Sequence, residues 1–453
     1  MVLYPLSMKS EQVPLNPVAS TTLKPERTSW NETTFPPPCR LRKVFMKIND
    51  FKKGPLDGIR IVDLTTVVLG PYATRILGDM GADVIKVETL SGDQTRHYKP
   101  LRHDGMAGYF LNLNRNKRSI CVDLKTKEGM EVLMRLLDGA HAFIHNMRQK
   151  AADRLGLSYE GVRRVNPEIV YCGAVGFGSA GPYAGRAAYD DVIQAASGLA
   201  GLHAMVHGEP AFAPTVLCDK ITGQTVAYAV MAALLQQARG GGGQAVEVPM
   251  LETAAEFALV EHLHGATFEP PLGEIGFKRV LSKYRKPFHT SDGYMCILPY
   301  SDSNWSNFFS FTGRTEFLGD PRFGVLADRA QHIDVLYALI EQEAPRFSNS
   351  QWQAFCDRVS IPCMPVRSLQ EVLDDEHLKA VNMISLHEHP TEGAYRVVRS
   401  PAQFNEPFKV RRHAPRLGED TMGVLEEAGF THDEIEALLR ARVVVSSAVT
   451  TPG

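Results

Sequence analysis

The chain has 453 residues, 44% of them hydrophobic and 22% charged, a globular balance that excludes wholesale disorder. Forty-nine Lys and Arg residues against 51 Asp and Glu give a net charge of −2, so neither nucleic acid nor an anionic membrane is an expected partner. No apolar run reaches the roughly 18 residues a membrane span requires, and the length points to two or three domains with a large core.

Residues 1–54 differ from the rest. Stretches such as Gln12-Val13-Pro14-Leu15-Asn16-Pro17 and Phe35-Pro36-Pro37-Pro38 carry no helical or alternating period, and the segment reads as a loosely ordered extension. It has neither the apolar core of a signal peptide nor the acid-poor composition of a transit peptide, and Met46 is a possible translation start. The seven cysteines (39, 121, 172, 218, 296, 356 and 363) show no CxxC spacing and no paired histidine. They read as small buried hydrophobes in a reducing compartment, the cytoplasm, with no disulfide framework and no metal site.

From Pro55 strands and helices alternate. The β-branched run Ile59–Leu64 precedes a helix over Pro71–Met80, where proline suits the first helical position. Strands follow at 83–87, 119–122, 141–144 and 169–173, with helices near 127–137, 147–155 and 189–200. This order predicts a parallel sheet with helices on both faces. A long apolar helix at 220–238 ends in Gly240-Gly241-Gly242-Gly243, read as a helix stop and turn into a strand at 245–248. Beyond about residue 255 helices dominate, marking a second domain, and 418–440 forms one or two amphipathic helices.

Few motifs announce chemistry. The first strand–turn–helix imitates a dinucleotide-binding unit, but its turn, Thr65–Pro71, lacks the GxGxxG that lets backbone approach a pyrophosphate. The turn still falls at the C-terminal edge of a parallel sheet, where small ligands bind. No GxSxG is present, and His103, His145, His207 and His264 are scattered. Asp219, at the start of the 220–238 helix, reads locally either as a helix cap or complement to the helix dipole, or as a carboxylate held ionised for nucleophilic attack. Local spacing does not choose between the two.

Taken together, several stretches resemble the class III CoA-transferases, the family of formyl-CoA:oxalate, carnitine and bile-acid CoA-transferases. They are Pro55–Leu64, Gly70-Pro71, Gly81–Glu88, Asn114–Ile120, Gly176–Pro182, Tyr189-Asp190 and Leu417–Thr421, in family order over about residues 55–440. The resemblance implies a Rossmann-like α/β large domain at 55–255, a smaller α+β domain at 256–365, a return segment with C-terminal helices at 366–453, and an interlocked homodimer. It implies transfer of coenzyme A from an acyl-CoA to a free carboxylic acid through covalent intermediates on Asp219, with no tightly bound cofactor. Val67, Asn146, Ala151, Arg154, Leu155 and Tyr189 match positions that contact CoA in such enzymes. Thr89 and Ala187 stand where some relatives carry a basic residue. The region 265–287 lacks the family's mobile glycine cluster and carries Lys278, Arg279, Lys283, Arg285 and Lys286 instead, read as a solvated surface run. Succinyl-CoA with a small dicarboxylic or branched acid is the expected substrate pair.

The same fold also serves α-methylacyl-CoA racemase, whose base is a histidine where this chain has Tyr189. A phenol with an ordinary pKa near 10 is a poor replacement for an imidazole near 6.5, which favours the transferase. A non-catalytic CoA-binding protein is the other alternative, and the retained Asp219 speaks against it.

Overall fold

The structure is a computed structural model that describes residues 54–405 and 408–447. The extension expected over residues 1–54, with Met46, lies outside the described residues except for Gly54.

Seven strands form the central sheet: β1 (Arg60–Leu64), β2 (Asp83–Glu88), β3 (Lys117–Val122), β4 (Ala142–His145), β5 (Val170–Val175), β6 (Gln244–Pro249) and, at the far end of the chain, Val444–Val445. The order, starting at Val444–Val445, runs on through β3-β2-β1-β4-β5-β6. All pairings are parallel except that of Val444–Val445 with the β3 edge. The six parallel strands are therefore doubly wound with a reversal of direction between β1 and β4, and ligands bind at the carboxyl ends of strands at such a switch point.

Alternation along each strand feeds two cores. Ile61, Val84, Ala142, Ile144, Val170 and Cys172 point to one face, where Leu69, Ala73, Leu77, Val226 and Val230 cover them. Val62, Ile85, Ile120, Phe143 and Tyr171 point to the other, under Val132, Leu133, Leu136, Leu137 and the C-terminal Val424, Leu425, Ile435 and Leu438. Strands buried on both faces need near-continuous apolar runs, which is why they are β-branched and readable in sequence. Helix Lys127–Asp138 begins where Thr126 Oγ1 accepts the Gly129 N–H at 3.0 Å, and His432–Arg440 begins with a Thr431–Glu434 capping box.

The helix expected over 189–200 is two helices, Asp190–Ala196 and Leu199–His207, because Gly198 between them takes φ +93°. The glycine quartet ends the long Leu217–Gln236 helix as expected, with Gly240 and Gly242 at φ +88° and +71°.

A third core, built from Trp305, Phe308, Phe309, Leu336, Ile340, Trp352 and Phe355, lies beside a small antiparallel sheet. That sheet comprises β7 (Phe288–His289), β8 (Tyr294–Ile297) and β9 (Cys363–Pro365). A hairpin of β10 (Ile384–His389) and β11 (Gly393–Val398) follows, and the edge strand Val444–Val445 is β12. No helix among the described residues is long and apolar enough to cross a membrane.

Candidate active site

A cavity of about 490 Å³ opens at the switch point. Its walls come from the turn after β1 (Thr66–Leu69), the segment after β4 (Asn146–Lys150), the loop after β5 (Val175–Ser179), Tyr189 and Asp219. Parallel topology explains the gathering, because every β–α turn leaves the sheet at the same edge.

Asp219 lies in the first turn of the Leu217–Gln236 helix and lines this cavity. The helix approaches Leu69 closely one turn later: a Cβ on Gly223 would stand 2.7 Å from the Leu69 carbonyl oxygen. Glycine at 223 thereby lets the carboxyl-bearing end of the helix sit against the Val68–Leu69 turn. The backbone N–H of Asp219 donates to Asp190 Oδ1 at 2.9 Å. Burial, and next the nearby Asp190 charge, push the Asp219 carboxyl up to about 7. The helix has no side-chain capping bond, so Asp219 is not its cap, although it remains the acid of the first turn; nor do its surroundings hold it ionised as expected, since they raise its pKa.

Val67 and Asn146 both line the cavity. Asn146 spends its amide on the first turn, accepting the Thr66 N–H at 3.0 Å and donating to the Thr66 carbonyl at 2.9 Å. It thus pins one wall to another across the switch point. Tyr189 also lines the cavity and is 66% exposed. Ala151, Arg154 and Leu155 are not among the lining residues, and Arg154 Nε donates to the Lys150 carbonyl at 3.2 Å.

The cations that do line the cavity are Arg148, Lys150 and Arg186, none of which has an ion-pair partner among the described residues. Arg186 lies over the Tyr183 ring, its guanidinium carbon 4.4 Å from the centroid. The sequence reading missed all three. Arg186 adjoins Ala187, which stands where some relatives carry a basic residue, and that adjacency is the signal in the sequence. The loop after β5 is fixed from β6 and the helix beyond it: Glu252 accepts the Gly178 N–H and Glu247 the Ser179 N–H, each at 2.9 Å.

Other sequence features stay outside the site. The glycine quartet does not line the cavity. In the 265–287 run, Lys286 pairs with Glu341 at 2.6 Å, Arg279 lies over Tyr300 and donates to Tyr337, and Lys283 lies over Tyr284. Among the described residues, no three His, Cys, Asp or Glu side chains are grouped so as to hold a metal ion.

Comparison with known proteins agrees with this architecture. Residues 56–421 match CoA-transferase family III. The chain is 31% identical over 411 residues to formyl-CoA:oxalate CoA-transferase of Escherichia coli O6:H1, covering 85% of this chain and 98% of that one. Among solved structures, a CAIB/BAIF family protein from Brucella suis is 29% identical with a TM-score of 0.70, over 83% of this chain and all of that one. A hypothetical protein from Mycobacterium tuberculosis is 27% identical with a TM-score of 0.71, over 82% and 99%. The chain belongs to CoA-transferase family III, and it is a CoA-transferase with the Rossmann-like α/β fold of that family.

Proposed function

We propose that Asp219 is the nucleophile through which this enzyme moves coenzyme A from an acyl-CoA thioester to a free carboxylic acid. The observation that carries this reading is Asp219 on the wall of a switch-point cavity also lined by Arg148, Lys150 and Arg186, none of which has an ion-pair partner among the described residues. A carboxylate and a cationic surface in one cavity match a substrate with an acyl end and a phosphate-bearing end.

The ionised Asp219 oxygen attacks the thioester carbonyl, and collapse expels CoA thiolate to leave an aspartyl–acyl mixed anhydride. The thiolate attacks the aspartyl carbonyl, releasing the donor acid and forming an aspartyl-CoA thioester. The incoming carboxylate attacks that thioester, giving a new anhydride and free thiolate. The thiolate then attacks the acceptor's acyl carbon, forming the product thioester and releasing Asp219. Each step exchanges one acyl bond for another, so covalent catalysis replaces one difficult transfer by several easier ones.

The phosphates are read as lying against Arg148, Lys150 and Arg186, with the pantetheine arm along Val67 and Tyr189. Donor and acceptor are read as small, since the E. coli relative is a formyl-CoA:oxalate enzyme. An interlocked homodimer fits the exposed apolar side chains of Val260, Leu272, Leu369 and Leu386, which one chain alone leaves uncovered. The free cysteines fit a reducing cytoplasm.

Trapping tests the reading. The protein is incubated with formyl-, acetyl-, succinyl- and branched-chain acyl-CoAs, quenched with hydroxylamine, digested and analysed by mass spectrometry. A hydroxamate on Asp219 with one donor is the expected result. Absence of any adduct together with α-proton exchange into deuterated water means racemase chemistry, and neither signal means a CoA-binding protein without this reaction.

A further inference from the structure

The turn after β1 is held by groups that lie outside it. Asp63 Oδ1 accepts the Thr65 N–H at 3.0 Å, and Lys86 Nζ donates to the Thr65 carbonyl at 2.8 Å. Asn146 bonds both backbone polar groups of Thr66. The next residue, Val67, has φ +72°. That is an outlier for a β-branched residue, because its Cβ crowds the backbone there, and such a conformation persists only where its surroundings over-determine it.

Asp93 is what holds it. The Val67 N–H points at the Asp93 carboxylate, 3.2 Å from Oδ2 and 3.4 Å from Oδ1. The carboxylate also receives Lys86 Nζ at 3.1 Å, the Thr95 N–H at 2.9 Å and Thr95 Oγ1 at 2.8 Å, and the Lys86–Asp93 side-chain pair is fully buried. Four donors converge on two oxygens, which an ionised carboxylate accommodates and an amide does not. Asp93 itself is held in place, its N–H donating to Glu88 Oε2 at 3.1 Å.

We propose that Asp93, backed by Lys86, is a positioning residue for coenzyme A binding: it keeps Val67 left-handed and so fixes the Thr66–Leu69 wall of the cavity. The inference rests on reading that cavity as the CoA site. Without the carboxylate, Val67 relaxes to negative φ and carries its side chain and the start of the Leu69–Asp79 helix with it. The binding-competent turn is then only fractionally populated, and apparent affinity falls by that fraction.

The test uses the full chain and coenzyme A itself, titrated calorimetrically, with hydrogen exchange followed across residues 64–70. Asp93→Asn, isosteric but with one oxygen for four donors, weakens coenzyme A about tenfold if the competent turn falls to roughly one-tenth. Val67→Gly alone sets the reference for the lost Val67 side chain, and adding Asp93→Asn to it costs less than about twofold, because glycine adopts positive φ unaided. A folded Asp93→Asn protein that binds within twofold of the parent overturns the proposal. So does a loss from Asp93→Asn as large in the Val67→Gly background as in the parent, since Asp93 then acts through the fold at large. Where the uncompensated Lys86 charge prevents folding, Lys86→Met/Asp93→Asn, with and without Val67→Gly, carries the same comparison. A parent protein that binds no coenzyme A refutes the reading of the cavity instead. In that case unchanged exchange across 64–70 in the Asp93 variant refutes the clamp, and faster exchange sustains it.

Discussion

Asp190 accepts the backbone N–H of Asp219 at 2.9 Å, so a second acid, itself buried, faces the first turn of the helix that carries the first. Gln194 joins them to the preceding loop, donating to Asp190 Oδ2 at 2.6 Å and accepting the Ala213 N–H at 2.8 Å. The arrangement fixes the backbone of Asp219 while making its ionisation harder, since burial and then Asp190 together push its carboxyl up to about 7.

A nucleophilic carboxylate must be ionised, so acyl transfer to Asp219 is expected to rise with pH, tenfold per unit well below 7, and to level off above it. Asp190→Asn removes one of the two causes and should move the midpoint to lower pH. Hydroxamate yield in single turnover, measured between pH 5 and pH 9, checks both statements. A profile flat across that range would show that Asp219 is already ionised throughout.

The same raised carboxyl has a consequence for stability. In the unfolded chain an aspartate titrates near its ordinary value of about 3.9, so between there and about 7 the folded protein holds a proton that the unfolded one has released. Ionised Asp219 therefore weakens the fold as pH rises through this window, and the full effect is present above it. Asp219→Asn should abolish transfer yet raise the melting temperature at pH 8 by about 1–3 °C, with a smaller difference at pH 4. Paired thermal scans at the two pH values decide it.

Phosphate recognition is expected to follow the cavity wall. Arg148→Ala, Lys150→Ala and Arg186→Ala should each weaken coenzyme A binding roughly threefold to tenfold, and reduce its dependence on salt. Arg154→Ala, off the wall, should change it less than about twofold, as exposed charges generally do. Calorimetric titration at two ionic strengths separates these outcomes, and a larger loss from Arg154 than from Arg186 would move the phosphates away from Arg186 toward the C-terminal end of the Gln149–Arg154 helix.

Gly223 is a steric requirement. A methyl group there meets the Leu69 carbonyl, a backbone atom that cannot swing away, at 2.7 Å. Gly223→Ala should destabilise the protein by about 1–3 kcal/mol, the usual range for overpacking. It should also displace Asp219 from the Val68–Leu69 turn, lowering hydroxamate yield in protein that remains folded. Urea denaturation and trapping, run on the same sample, check the pair of effects.

Much of this molecule is fixed by sequence alone. The strands from β1 to β5 are legible because both their faces are largely buried, which forces runs such as Ile61-Val62 and Val84-Ile85. The long helix and its glycine stop are legible for the same local reasons, and the ordered motifs identify the family. What escaped was decided by contacts between distant segments. β12 is only two residues long and exists because the β3 edge offers it partners, Val444 against Val122. One glycine, Gly198, splits a helix whose composition is continuous on both sides.

At the site the division is sharper. The sequence by itself places an acid at the head of a helix and leaves its role open between cap and nucleophile. Only the tertiary structure turns that acid into a cavity, beside Asp190 and across from Val67 and Asn146, which lie far from it in the chain. It also takes the wall away from Arg154 and gives it to Arg148, Lys150 and Arg186. The physical reason is that residue type and period report on local backbone and burial. Which side chains converge depends on how a doubly wound sheet brings its carboxyl ends to one edge.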